Sequence, residues 1–308
     1  ELAVEVTKLN LLLELLAGSK VDEVDIFCKT NRCRILPNLD NNIKVGNSLI
    51  DKRYRSFNPL IDTDVSLIKR IKMFEWEDEF KFKFDFIVGN PPYVRVQKMA
   101  KHLNLEYKYF ISEKSGYMTA KGTFDEYYLF IEKMLDLINA DGKIGLIVSN
   151  RFITIDAGKP LRKYLSEHKY VGKIVDFNTI PIFDGKSNYT CLLFLEKDSD
   201  VVSHCMVKEL KSFIEGSCTF TSVSSDNLDE EPWSFTVTNS KSIFSILGEK
   251  VSKLGEMAKI TVGLQTSADN IFIISPLSQD DKTVQFSCQG RTISIEKGLL
   301  RSCIYDLP

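Results

Sequence analysis

Apolar positions along the chain follow two alternating periods. In "ELAVEVTKLNLLLELLAGS" (1–19) Leu2, Val6, Leu9, Leu13 and Leu16 recur at helical spacing and Gly18-Ser19 supply a stop, which predicts an amphipathic helix. No capping residue precedes that helix, so the sequence reads as a piece of something longer. "IKVGNSLI" (43–50) predicts a short strand ending at a Gly-Asn turn, and a helix is predicted near 64–75 within the otherwise charged, irregular stretch 51–83. "FDFIVG" (84–89) has apolar residues at consecutive positions, as a strand covered on both faces of a parallel sheet requires. An amphipathic helix (125–143, "DEYYLFIEKMLDLINADGK") and a second apolar strand (143–150, "KIGLIVSN") follow. "PLRKYLSEHK" then reads as a helix, and "VGKIVDF" (171–177) and "NYTCLLFLEK" (188–197) as strands. The last two leave no room for a helix between them and should pair antiparallel at an edge. Alternation of this kind predicts an α/β fold on a mainly parallel sheet.

Beyond Lys197 the texture changes. Residues 198–235 are rich in Ser, Asp and Thr around a strand-like "HCMVKEL", and "SKSIFSILGEKVSKLGEM" predicts a helix leading into short β-like segments at 259–263, 270–275 and 283–295. This divides the chain into a first domain (1–198), a connector (199–256) and the beginning of a second, β-rich domain (257–308).

The length of 308 residues accommodates one large or two ordinary domains, and 44% hydrophobic with 27% charged residues is a globular composition. A formal charge of -2 leaves the nucleic-acid question open, since any positive surface must be local. Positive charge does concentrate in 94–122, where Arg95, Lys98, Lys101, Lys108, Lys114 and Lys121 stand against Glu106 and Glu113. With Tyr107, Tyr109, Phe110 and Tyr117 but no clean period, the stretch reads either as a long loop suited to phosphate contacts or as a solvated surface loop. Seven scattered cysteines without a CxxC pair suit a reducing compartment, the cytoplasm, with most thiols packed as small apolar groups. Three well-separated histidines offer no metal-ligand cluster, and no apolar run or leader segment points to a membrane.

The chemistry concentrates in "GNPPYVR" (89–95). Ligands of open parallel sheets sit beyond the carboxyl ends of the strands, where this segment falls. Two prolines force a stiff, extended exit from the strand. The Asn90 carboxamide and Pro91 carbonyl can then converge as two acceptors, with Tyr93 as a flat surface beside them and Pro92 stiffening the turn. Such a pocket fits a planar group with an exocyclic amine. Holding both amine hydrogens would aim the nitrogen lone pair at an electrophile, for which a sulfonium methyl is the match.

"GNPPYVR" after an apolar strand resembles the catalytic motif of amino-group DNA methyltransferases, which use S-adenosylmethionine. The ordered series "GNSL", "FDFIVGNPPYVR", "KIGLIVSNRFI", "IFDGKSNYTCLLFLEK" and "ITVGLQTSADNIFII" looks like their adenine-specific branch in combined restriction-modification enzymes. The resemblance implies a Rossmann-like methyltransferase sheet followed by the start of a target-recognition domain. It assigns Asn90 and Pro91 to the target amine and Tyr93 to stacking on the base. Ile87 to Gly89 would form the floor near the sulfonium, and Asn47 would contact the cofactor, unless it is an ordinary turn residue. Phe183 would hold the other edge of a base swung out of double-stranded DNA, with Tyr189 as the second candidate; both could equally be core aromatics. Arg95, Lys98 and Lys101 would meet the backbone, and Gln265 and Thr266 would open the recognition domain. Methyl transfer would be direct, without metal, and a longer parent could also carry a nuclease domain. The family's glycine-rich cofactor loop and ribose-binding acidic residue are missing, so the sheet should lack its first strands and the chain alone should bind S-adenosylmethionine poorly. The same tetrapeptide serves methylation of protein glutamine or ribosomal-RNA guanine, and a non-catalytic DNA-binding fragment is a further alternative; continuation past residue 240 separates the chain from the first two.

Overall fold

The strands form where the apolar runs predict them: β1 (Phe84–Gly89), β2 (Ile138–Ser149), β3 (Val171–Asp176) and β4 (Thr190–Leu195). The computed structural model describes residues 2–17, 38–183, 189–235, 254–259, 272–288 and 290–301, and the chain divides into two compact units, Glu1–Thr238 and Asn239–Pro308. In the first unit, β5 (Val201–Met206) and β6 (Thr221–Ser224) extend the sheet to six strands in the order β1-β2-β4-β3-β5-β6. Strands β1, β2, β3 and β5 run one way and β4 and β6 the other.

Two expectations change here. β4 does pair antiparallel with β3, but it lies inside the sheet, between β2 and β3, rather than at an edge. Its sequence carries the reason: "TCLLFL" has none of the charges or prolines that blunt an edge strand, and Cys191, Leu193 and Leu195 are buried. The stretch beginning at 199, expected as a connector, instead supplies β5 and β6, because "VVSHCM" and "TSVS" find a free sheet edge beside β3.

The helices are α1 (Leu2–Leu16), α2 (Val65–Ile71), α3 (Val96–His102), α4 (Asn104–Phe110), α5 (Glu126–Leu137) and α6 (Lys159–Glu167), with a few shorter turns. Asp64 caps α2, its side chain accepting from the Ser66 and Leu67 amides at 2.9 and 3.1 Å. The stretch 94–122, read as a loop, contains α3 and α4; each is only seven residues long, too short for a period to stand out, and they bury Val96, Met99, Tyr109 and Phe110. α5 ends at Leu137, earlier than the pattern suggests, because Ile138 already pairs with Phe84 and the polar Asp141-Gly142 pair falls in an irregularity of the β1–β2 register. No strand forms at 43–50. Asn47 makes one isolated bridge to Met73, and Gly46 lies so close to Phe74 that a Cβ there would come within 2.4 Å of its ring.

α5 and α6 join the main core with Tyr127, Leu129, Ile131, Leu161 and Leu165, which pack with Ile144, Leu146, Val148, Ile174 and Leu193 from the sheet. A smaller cluster of Val175, Phe177, Cys205 and Val207 packs with Phe213 from the turn Leu210–Ile214. Cys205 is disulfide-bonded to Cys218, an exception to the expected packing of most thiols, while Cys191 is free and buried; thirteen residues apart in sequence, Cys205 and Cys218 are brought by that turn to a Cα separation of 6.5 Å. β1 departs most from its predicted environment. It sits at the sheet edge, and Phe86 and Val88 are 74% and 87% exposed over a hollow of about 500 Å³ shared with Phe194 and Lys173.

In the second unit, β7 (Pro276–Gln279), β8 (Thr283–Cys288) and β9 (Arg291–Glu296) form an antiparallel three-stranded sheet, with Val284 and Phe286 buried. Gly290, at φ +76°, makes the β8–β9 turn. The predicted β segment 283–295 is therefore a hairpin, whereas 259–263 falls almost wholly outside the described residues.

Candidate active site

The first strand delivers its last residue, Gly89, to the carboxyl edge of the sheet, and the chain leaves that edge through Asn90, Pro91, Pro92 and Tyr93. Pro91 is buried and Pro92 exposed, so the kink is anchored on one side only. Asn90 is exposed and its carboxamide makes no hydrogen bond to a described residue. Tyr93 is held firmly. Its hydroxyl donates to the Ile147 carbonyl of β2 at 2.9 Å, and its ring meets Tyr127 edge-on, centroids 6.1 Å apart. Burial pushes the Tyr93 phenol up to about 12, so it stays a donor through the neutral range.

The same rim continues across the neighbouring strand ends. Tyr127 donates to the Ser149 carbonyl at 3.3 Å, fixing the end of β2. The Asn150 amide then donates to the Tyr189 carbonyl at 3.1 Å, which places Tyr189, 47% exposed, at the start of antiparallel β4 on this edge. Asn150 also donates its side-chain amide to Asp176 at the end of β3, at 2.6 Å, and the same carboxylate oxygen accepts the Asn178 amide at 2.8 Å. Asn178 adopts a left-handed φ of 49°, and the chain turns there into the loop carrying half-buried Phe183. The neighbouring Ile180 and Ile182 pack on the cluster around Phe177. Asn90, Tyr93, Tyr189 and the Phe183 loop thus leave one rim from β1, β4 and β3, in a sheet order β1-β2-β4-β3 whose neighbouring strands are about 5 Å apart.

The other predicted residues fall in different places. Lys98 and Lys101 are exposed at i, i+3 on α3, whose Val96 and Met99 are buried, and the exposed Arg95 is its extended N-cap, so the three form a basic run beginning two residues after Tyr93. Asn47 is half-buried, and its side-chain oxygen accepts the Leu49 amide at 3.1 Å in an ordinary Asx turn. Gly89 is not sterically compelled: a Cβ there would meet Leu146 and Met134 at ordinary contact distances of 3.5 and 3.6 Å. Gln265 and Thr266 lie outside the described residues.

Sequence reasoning passed over Asn150, Asp176, Tyr127, Asp125 and Arg151. The available signal was a polar residue immediately after an apolar strand, as in "IVSNR" and "KIVDF". Asp125 is half-buried; burial raises its carboxyl above the usual range, and the nearby Arg95 and Arg151 guanidiniums oppose that shift.

Comparison with known proteins sets the class, and the chain falls among the restriction-modification methylases. Residues 1–183 match the family described as Eco57I restriction-modification methylase, and the chain belongs to that family. It is 34% identical over 301 residues to the type II restriction enzyme and methyltransferase RM.Eco57I of Escherichia coli, covering 95% of this chain and 28% of that protein. It is 26% identical over 231 residues to the type II methyltransferase M.BstVI of Geobacillus stearothermophilus, covering 67% and 40% respectively. Among solved structures, the type IIG restriction endonuclease BpuSI aligns with 61% of this chain and 26% of its own at 16% identity and a TM-score of 0.36. The chain therefore spans well under half the length of these relatives.

Proposed function

We infer that the chain carries the target-amine half of a site-specific DNA methyltransferase, transferring a methyl group from S-adenosylmethionine to the N6 amine of an adenine swung out of the duplex. The observation carrying this reading is the contrast within residues 90–93: an exposed carboxamide with no described partner stands beside a tyrosine locked by a hydrogen bond and a ring contact. Asn90 and the Pro91 carbonyl accept the two amine hydrogens, Tyr93 gives the base a fixed wall, and Phe183 or Tyr189 closes the opposite edge. The cofactor supplies only the electrophilic methyl. Adenine is preferred over cytosine because the ordered motif series resembles the adenine branch, and a second compact unit after Thr238 favours DNA over protein glutamine or ribosomal RNA as substrate. By analogy with the doubly named RM.Eco57I, a nuclease domain in the whole protein and action in the cytoplasm belong to the same reading.

The residues present do not by themselves cradle S-adenosylmethionine. Asn47 is turned toward its own chain by the Leu49 amide, and Gly89 makes no approach that only glycine allows. Among the described residues the outer edge of β1 is unpaired and Phe86 and Val88 are bare, which supports a sheet that receives further strands and a covering layer in the whole protein. Titration calorimetry of the 308-residue chain with S-adenosylmethionine should accordingly show no binding in the micromolar range. The test of function is methyl transfer from labelled cofactor by the whole protein, with nucleosides resolved by chromatography. Label should appear in N6-methyladenine, and Asn90→Ala should abolish it while duplex binding persists. Label in protein or RNA, or full activity of Asn90→Ala, would overturn the reading.

A further inference from the structure

Arg95 and Arg151 lie 56 residues apart in sequence, but the charges of both act on one carboxylate beside the site, Asp125. Arg95 follows the Asn-Pro-Pro-Tyr kink by two residues, and its backbone bridges Asp125, with Val96 donating to Phe124 at 3.0 Å and Glu126 to Val94 at 2.8 Å. Arg151 sits in the turn Asn150–Ile153 at the end of β2, its amide held by the Ser149 hydroxyl at 3.4 Å. The Tyr93–Tyr127–Ser149 chain of contacts joins the two places: Tyr127 lies two residues beyond Asp125, and Ser149 two residues before Arg151. Both arginine side chains are exposed while their backbones are fixed, and neither forms a close ion pair with a described carboxylate.

We propose that Arg95 and Arg151 form a two-pronged clamp for consecutive phosphates of the DNA strand carrying the target nucleotide, with Asp125 between them as the counter-charge that keeps both guanidiniums on the same side when no nucleic acid is bound. This rests on the reading of the rim as a DNA methyltransferase site and adds to it Arg151 and Asp125. Guanidinium suits the role because its planar fork holds two phosphate oxygens at once and never deprotonates. Placing the prongs beyond the ends of the neighbouring strands β1 and β2 would hold the backbone beside Asn90–Tyr93, which is what extruding one nucleotide requires.

The clamp is tested by fluorescence anisotropy of the 308-residue chain on a labelled duplex oligonucleotide over a series of salt concentrations, which needs neither cofactor nor recognition sequence. Arg151→Ala and Arg95→Ala should each lower the slope of log affinity against log salt by about 0.9, and the double variant by about 1.8, one lost phosphate contact per arginine. Arg151→Lys should keep the slope, and Lys211→Ala, a fully solvated charge on the turn beside β5, should leave it unchanged. A native melting curve for Arg151→Ala shows that the charge, not the fold, was removed. If the wild-type chain binds with normal salt dependence but both alanine variants stay within about 0.2 of its slope, the clamp is wrong and the methyltransferase reading stands. If the wild-type chain does not bind DNA at all, the clamp falls, whereas the methyltransferase reading is decided by methyl transfer in the whole protein.

Discussion

Arg162 is the buried cation on which the turn after β2 depends, and replacing it offers a measurable test of how the rim is held. Its side chain is only 1% exposed, on helix α6, and it donates to three main-chain carbonyls: Phe152 at 2.6 Å, Ile155 at 2.8 Å and Glu230 at 2.9 Å. No carboxylate pairs with it closely among the described residues, so the charge is held by neutral dipoles and burial moves its pKa down. Gly158 completes the cage, since a Cβ there would fall 2.1 Å from the Phe152 oxygen and 2.7 Å from the guanidinium. Arg162→Met keeps the unbranched stem as far as the Nε position and removes all three donors. Each carbonyl left unpaired costs about 1–3 kcal/mol. Relief of the buried charge and the added apolar burial recover part of that sum. The net loss is about 2–4 kcal/mol, which at about 2–4 °C per kcal/mol for a unit of this size lowers the melting temperature by roughly 5–15 °C. Arg162→Lys can reach only some of the three oxygens and should lose about half as much. Thermal denaturation followed by circular dichroism reads both. A melting temperature for Arg162→Met within about 2 °C of wild type would refute the argument, because it would mean that water or relaxation satisfies the three carbonyls at no cost.

Two further substitutions separate scaffold from chemistry. Tyr93→Phe deletes the 2.9 Å bond to Ile147 but keeps the ring on Tyr127, so urea denaturation should show a loss of about 1 kcal/mol while DNA affinity holds. Glu126 has its carboxyl raised by burial alone, so ionisation penalises the folded state: the penalty is absent below its unfolded pKa and grows as pH rises through the folded value. Glu126→Gln should therefore be more stable than wild type at pH 7–8, by less than about 1 kcal/mol, and the two should converge near pH 4; a constant difference across that range would refute the assignment.

What could be read from the sequence divides along a physical line. "FDFIVG" and "KIGLIVS" declare themselves as strands because main-chain pairing and apolar content are local properties, and the kink at Asn90-Pro91-Pro92 is local too, since prolines fix their own φ. Partner choice is not local. Nothing in "TCLLFL" says which strands flank it, so its interior place had to come from the structure, as did the attachment of 201–206 to β3. Exposure is not local either: Phe86 and Val88 look like core residues by type, yet one face of β1 is bare.

The site obeys the same division, and its two halves differ in how they can be found. Asn90 and Tyr93 act through a rigid tetrapeptide that carries its own geometry, which is why they stand out as residue types in a row. Asp176, Asn150 and Arg151 are individually ordinary polar residues that matter because β2 and β3 both end on the same rim, with β4 between them. Arg162 is harder still to see. On an amphipathic helix read from "PLRKYLSEHK" it counts as solvent-facing, since arginine is seldom fully buried, and only the carbonyls that converge from Phe152, Ile155 and Glu230 turn that face inward. A chemical motif can therefore be read where the chain stiffens itself, whereas the residues that aim the motif become visible only once strand order is known, and the polar residues that end apolar strands are the first places to look for them.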